Sequence, residues 1–486
     1  MTAATPLDVS PETSDRSKPS ASEAPDAEGQ REEIANVVRR LRRTFRSGRT
    51  RAPEWREAQL DRLTALVQER RDALLGALHA DLGKSSFEGY LAELALLLKD
   101  TEHAKKHFRA WMAPERVSTP LSLQPGTCRV QRDPLGVALV IAPWNYPVQL
   151  ALEPLVGVIA AGNCAVLKPS EVSGETSKLL AELVPQYLDP DAIAVVEGGV
   201  PETTALLAER FDHIFFTGST NVGRVVMAAA AKHLTPVTLE LGGKSPTIVD
   251  STADLDVAAR RIVWAKFFNA GQTCVAPDYV LVDARVATPF VEKLRTTIQK
   301  FYGAQPQHSR DYGRIVSDRH FERLVGFLDQ GEVVCGGDHD ASTRFIAPTV
   351  LTGVSEHDRI MGEEIFGPIL PVLEVGSVVE AIDFVNERPK PLALYVFTRD
   401  EAVADRVLSE TSSGGACVND ALTHLSVLDL PFGGVGESGM GAYHGKASFD
   451  TFTHHKSVLA KSNLLDIAVR YPPYSDTKAK IIEKLM

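Results

Sequence analysis

Cysteine is scarce in this sequence, with five residues among 486. Cys128, Cys164, Cys274, Cys335 and Cys417 are odd in number and far apart, and none forms a C-x-x-C pair or sits at ligand spacing from a histidine. That argues against a disulfide framework and against a metal site. Free, sparse thiols fit a reducing cytoplasm, where one of them can serve chemistry. Long apolar runs are missing too. No stretch reaches the roughly 18 residues that a membrane span needs, and the N-terminus lacks the apolar segment of a signal peptide, so no integral membrane anchor is expected. Positive charge is in deficit: 52 Lys and Arg stand against 63 Asp and Glu, for a net charge of -11 and a pI near 5.7. This excludes general affinity for nucleic acid or acidic membranes. No internal repeat is visible.

What the chain does have is length and an ordinary apolar content of 44%, enough for two or more domains. Residues 1–30 are rich in Pro, Ser, Ala and acids and are expected to be a disordered tail. From Arg31 on, Ile34, Val37, Val38, Leu41 and Phe45 recur at helical spacing among Arg39, Arg40, Arg42, Arg43 and Arg46. This predicts an amphipathic helix whose basic face is solvated, a commoner use of such a face than contact with a membrane or nucleic acid. Two further helices follow. After Pro134 come short continuous apolar runs, "GVALVIAPWN", "NCAVLKPS", "DAIAVVEGG", "HIFFTGST" and "TPVTLELGG", separated by helical segments. Such runs predict buried parallel strands of a doubly wound α/β domain. Ligands of these sheets bind beyond the carboxyl ends of the strands, which singles out Asn145, Lys168, Gly218 and Glu240. Past Gly242 the rhythm restarts with "SPTIVD", "YVLVDA", "APTVLTGV" and "ILPVLEV", predicting a second α/β domain that carries Cys274 near its start.

Three stretches invite a chemical reading. Gly434, Gly436 and Gly439 in "GGVGESGMG" match the dinucleotide fingerprint, but they follow no full strand and open no helix, so a turn-rich loop is expected. In "FFTGSTNVGRVVMAAA" a strand runs into Gly218, Ser219 and Thr220 and then into a helix, whose N-terminus can receive a phosphate. In "VLKPSE", Lys168 and Glu171 could hold ribose hydroxyls, or Ser170 could simply cap the next helix. Taken alone, Cys274 in "NAGQTCVAPDY" is as well explained by packing as by chemistry.

In chain order, "APWNYP", "VLKPSE", "FTGSTNVG", "LELGGKSP", "NAGQTCVAPDY", "EEIFGP" and "LPFGGVGESGMG" resemble the signature motifs of the aldehyde dehydrogenase superfamily. "SGMGAYHGKASFDTFTHHKS" and "RYPPYS" further resemble its class 3 branch, which acts on medium- and long-chain aliphatic and on aromatic aldehydes. The resemblance implies a Rossmann-type domain, a second α/β catalytic domain and a β-hairpin bridging arm, with NAD(P)-dependent oxidation of an aldehyde to the acid. It makes Cys274 the nucleophile, Asn145 the oxyanion donor and Glu240 the base that activates water, with Glu364 as the rival for that last role. Trp144, Lys168, Glu171, Thr217, Gly218, Ser219, Gly223, Leu241, Glu364 and Phe366 would bind the cofactor. Because Glu171 would repel a 2′-phosphate, NAD is the expected cofactor, with NADP as the alternative.

The implied division is an NAD-binding domain at 31–118 and 138–242, a catalytic domain at 243–440, an arm at 119–137 and 441–462, and a tail at 463–486. "RVSTPLSLQPGTCRVQRDP" is expected to be a hairpin about its Pro-Gly, and with "SFDTFTHHKSVL" it resembles an arm that adds strands across a subunit boundary, implying a homodimer. After "RYPPYS" only the polar "DTKAKIIEKLM" follows, unlike the membrane-bound class 3 pattern. Coniferyl-type aromatic aldehyde dehydrogenases share much of this motif set. A phosphorylating or CoA-acylating semialdehyde dehydrogenase is disfavoured by Glu240, since that route needs no base for water.

Overall fold

The computed structural model describes residues 24–466 and 468–485. Most of the expected N-terminal tail lies outside them, but its last residues do not: the first helix starts at Ala24, not Arg31. The segment "APDAEGQ" is apolar-poor but extends the amphipathic helix by about two turns, with Pro25 and Asp26 in the first turn, where both are tolerated, and Gln30 is tied to the body by a 2.6 Å hydrogen bond to Glu202.

Strands β1 (Glu115–Val117) and β2 (Gly126–Pro134) pair antiparallel. A 3₁₀ turn at Leu121–Leu123 lies between them, so Pro125-Gly126 opens β2 instead of forming a tight turn. Next come β3 (Val137–Ile141), β4 (Cys164–Lys168), β5 (Ile193–Val195), β6 (His213–Thr217) and β7 (Val237–Glu240), parallel in the spatial order β7-β6-β3-β4-β5. The runs are continuous because most of these strands are buried on both faces. The helix Gln149–Ala161 beside them is buried along its whole length, as a helix apolar on every side must be.

A second sheet holds β8 (Pro246–Val249), β9 (Tyr279–Asp283), β10 (Glu332–Cys335), β13 (Thr349–Thr352), β14 (Ile369–Val375), β15 (Ala393–Phe397) and β16 (Gly415–Val418), in the order β10-β13-β14-β9-β8-β15-β16. A two-stranded ribbon, β11 (His339–Asp340) with β12 (Phe345–Ile346), stands apart. The expected loop "GGVGESGMG" ends in a short strand, β17 (Gly439–Met440), that pairs antiparallel with β7 and so completes the first sheet. The last strand, β18 (Thr453–Lys461), lies along the whole of β2. One continuous core runs from Ile34 to Phe452 through both sheets. Among the described residues no helix is long and apolar enough to cross a membrane.

Candidate active site

The first sheet changes winding direction at β3: the chain steps from β3 to β4 and β5 on one side, then to β6 and β7 on the other. Its carboxyl edge is therefore a topological switch point, where α/β sheets bind ligands. Four of the singled-out segments meet there. Lys168 ends β4, Asn145 follows β3, Gly218 and Ser219 follow β6, and Glu240 ends β7. Thr217 is in register with Glu240, and the Gly218 N–H donates to the Glu240 carbonyl at 3.0 Å. Ser219 caps the helix Thr220–Ala231 through the Val222 N–H.

Cys274 arrives from the second domain on a tightly built loop. Asn269, Ala270 and Gly271 all have positive φ, at 52°, 51° and 77°. The first two are costly for residues with a Cβ, and the third needs glycine, since a Cβ there would meet the Gly367 carbonyl at 2.2 Å. Gln272 spans the loop, donating to the carbonyls of Asn269 and Arg314 and accepting the Val316 N–H at 3.0 Å. Asn145 donates one amide N–H to the Gln272 carbonyl at 3.1 Å, which places its side chain against this loop. Thr273 meets the Tyr146 hydroxyl at 2.6 Å, and Tyr395 donates to the Val275 carbonyl at 2.6 Å.

Burial, then the nearby carboxyls of Glu364 and Glu240, push the Cys274 thiol up to about 12, while the N–H groups of Cys274 and Val275 pull the other way. Burial also holds the Glu240 carboxyl well above its ordinary range, and neither of its oxygens has a hydrogen-bond partner among the described residues. Glu364 is pushed to about 8, first by burial and then by Asp278. Its carboxyl sits on Gly242, where a Cβ would come within 1.9 Å of Oε2, and the neighbouring Gly243 N–H pulls its titration the other way. Burial in this pocket therefore favours the neutral forms of the thiol and of both carboxyls.

The residues expected to bind cofactor divide into two groups. Lys168, Glu171, Thr217, Gly218, Ser219, Gly223 and Leu241 lie along the sheet edge. Lys168 is buried and reaches the half-exposed Glu171 at 3.3 Å, and Gly223 leaves room for Leu241, which a Cβ would touch at 2.7 Å. Trp144 and Phe366 meet edge-on at 5.2 Å on the side of Glu364. A nicotinamide dinucleotide fits this set: a helix N-terminus and a buried lysine suit its phosphates and riboses, and the buried Thr217 hydroxyl has no partner among the described residues.

Sequence reasoning missed the supports behind these groups. Lys244 donates to the carbonyls of Ile360 and Glu363 at 2.8 and 2.9 Å, and Arg323 donates to that of Ile365 at 2.7 Å, fixing the loop of Glu364. Lys266 is wholly buried with its amine unpartnered among the described residues, and burial lowers it to about 8. Lys84 and Glu93 form a fully buried ion pair under Asn145. Only Glu93 left a trace in the sequence, as one acid within the apolar run "YLAELALLL".

A sheet edge that receives a dinucleotide, whose last strand carries a buried acid to a thiol from a second domain, has the layout of a nicotinamide-dependent dehydrogenase that works through cysteine. The profile of the aldehyde dehydrogenase family matches residues 15–458. The rat protein described as "aldehyde dehydrogenase, dimeric NADP-preferring" is 53% identical over 442 residues, 90% of this chain and 98% of that protein. Human aldehyde dehydrogenase family 3 member B1 is 51% identical over 451 residues, 92% of this chain and 96% of its own length. A solved structure of a substrate-bound state of Staphylococcus aureus AldH superposes with a TM-score of 0.91 at 46% identity, covering 93% of this chain and 99% of the other. The chain belongs to the aldehyde dehydrogenase family. It is an oxidoreductase that converts aldehydes to carboxylic acids with a nicotinamide dinucleotide.

Proposed function

We propose that Cys274 is the nucleophile, Asn145 the oxyanion donor and Glu240 the base for hydrolysis. The Cys274 thiol gives up its proton to solvent and the resulting thiolate adds to the aldehyde carbonyl, the thiohemiacetal oxygen taking the second N–H of Asn145 together with the backbone N–H of Cys274. One such donor contributes about 3 kcal/mol in the transition state. NAD(P), when bound, supplies the hydride acceptor, a positively charged ring. Loss of hydride from the substrate carbon leaves a thioester on Cys274; Glu240 then takes a proton from water as it attacks, and the acid leaves with the thiol restored. Glu240 carries this reading: it is a buried acid whose oxygens have no hydrogen-bond partner among the described residues, and burial holds its carboxyl well above the ordinary range.

The test is the first turnover of Glu240→Gln with excess aldehyde. About one NADH per subunit should form quickly and then stall, with the acyl group found on Cys274 by mass spectrometry. Absence of both burst and adduct would move Glu240 to the first half-reaction. Steady turnover at the normal rate would pass the base role to Glu364.

Substrates are proposed to be apolar, aliphatic or aromatic, because Ala92, Tyr146 and Leu150 form an apolar cluster with Phe268 beside Thr273. NAD is proposed as the preferred cofactor on account of Glu171, although the rat relative is named NADP-preferring. A homodimer is proposed from that relative's name, from the open outer edge of β18, and from Val222, Val225, Met227 and Leu234, exposed along one helix and its end. The five free thiols favour a reducing, cytoplasmic setting.

A further inference from the structure

Lys84 and Glu93 have no exposed side-chain surface, and their Nζ and Oε1 are 2.6 Å apart. Sequestering such a pair costs several kcal/mol per ion before their attraction is counted, so it is weak support for stability and calls for another explanation. Its other contacts supply one. Lys84 also donates to the Asn145 carbonyl at 2.7 Å and stands 4.0 Å from the centre of the Tyr146 ring. The second oxygen of Glu93 accepts the N–H groups of Val148 and Gln149, at 2.8 and 3.2 Å, where the next helix begins. The pair therefore grips the turn 145–149 at both ends.

The same short segment reaches the cysteine loop. Glu88 accepts the Asn269 N–H at 2.6 Å, at the first of the three left-handed residues. Asn269 in turn donates to the Asn145 carbonyl at 2.9 Å and to the Gln272 carbonyl at 3.0 Å. Strained backbone of this kind persists only where its surroundings over-determine it. Residues Tyr90–Leu94 are a π-helical turn between two α-helical stretches, an irregularity that recurs at functional sites. On an ordinary α-helix residues five apart, such as Glu88 and Glu93, point about 140° away from each other, and the wider turn reduces that angle. With it, one serves the cysteine loop and the other the asparagine turn.

We propose that Lys84, Glu93 and Glu88 are positioning residues for the oxyanion pocket, holding the Asn145 turn and the Cys274 loop, which come from different domains, in one fixed frame. The proposal rests on the roles given above to Asn145 and Cys274. None of the three touches the reacting atoms; they act through the Asn145 carbonyl and the Asn269 N–H.

The test uses the full-length enzyme and the rate constant of NADH formation in the first turnover. Lys84→Met should lower it about 100-fold, the cost of roughly 1 Å of misplacement. The cofactor dissociation constant and the number of titratable Cys274 thiols should stay at parental values, and an aldehyde deuterated at its carbonyl carbon should show a large isotope effect. A loss of folded protein would reduce the thiol count and leave the rate constant alone. Glu88→Gln keeps an acceptor oxygen for Asn269 and should stay within about twofold of the parent, whereas Glu88→Leu should fall about 10-fold. A folded Lys84→Met within threefold of the parental rate overturns the proposal. If Lys84→Met does not fold, the Glu88 pair decides, and equal rates for Gln and Leu overturn it. Asn145→Ala in the same assay separates the two layers: if it keeps the parental rate, the pocket reading itself fails. If it is slow while Lys84→Met is normal, only the positioning role fails.

Discussion

The two ends of the site are built in opposite ways. The cofactor edge uses ordinary parts: strand ends, a helix capped by Ser219, and Lys168 reaching a half-exposed Glu171. The chemical end uses costly ones: three left-handed residues in a row, an acid with no partner for either oxygen among the described residues, and a fully buried ion pair under Asn145. Binding a large polar molecule needs donors near water, which any α/β edge offers cheaply. Holding a thiol and an acid neutral until they react needs desolvation, and the rest of the fold must compensate for it.

The largest expected effect breaks the chemical end while sparing the other. Cys274→Ala should lower aldehyde oxidation by more than about 10³-fold with cofactor affinity unchanged, and no other cysteine variant should come near it. Residual oxidation at a substantial fraction of the parental rate would refute covalent catalysis here.

The next prediction measures the stability given up at that end. Burial raises the Glu240 carboxyl above its ordinary 4.5, so the folded protein keeps a proton that the unfolded chain releases, and stability falls as pH rises above that value. Glu240→Gln removes this loss. Its melting temperature should exceed the parent's, by more at pH 8 than at pH 5; an offset that does not change with pH would show that Glu240 is not held protonated.

The smallest effect belongs to the cofactor edge. Glu171 is half exposed, so its repulsion of a 2′-phosphate is screened and amounts to about 1 kcal/mol. Glu171→Gln should shift the ratio of kcat/KM for NADP over NAD upward by about fivefold. An unchanged ratio would mean that the preference is set elsewhere.

What could be read in the sequence follows the same line. The parallel strands announced themselves as apolar runs, and the Ser219 helix start is a local signal. Both depend on neighbours in the chain. The role of Lys84 depends on residues 84, 93, 145 and 269 meeting in space, and nothing within a window around Lys84 marks it. Strand β15 went unnamed although "LALYVF" is an apolar run like the others, and β16 is a four-residue strand, Gly415–Val418, too short to stand out. The helix start at Ala24 was hidden because disorder was inferred from missing apolar residues, whereas these residues extend a helix that the buried Ile34, Val38 and Leu41 already anchor.

The strand that carries Glu240 has one neighbour made long after it. Gly439 and Met440 pair with Glu240 and Leu239, and the Leu241 N–H donates to the Ser438 carbonyl. During synthesis, β7 is complete some two hundred residues before its outer edge is covered, and for that interval a growing chain presents an open strand edge to solvent or to a chaperone. The surroundings of Glu240 are therefore finished only when nearly the whole polypeptide has left the ribosome. No truncated translation product ending before β17 can be a working enzyme, and premature stops anywhere upstream of Gly439 should behave as complete losses of function.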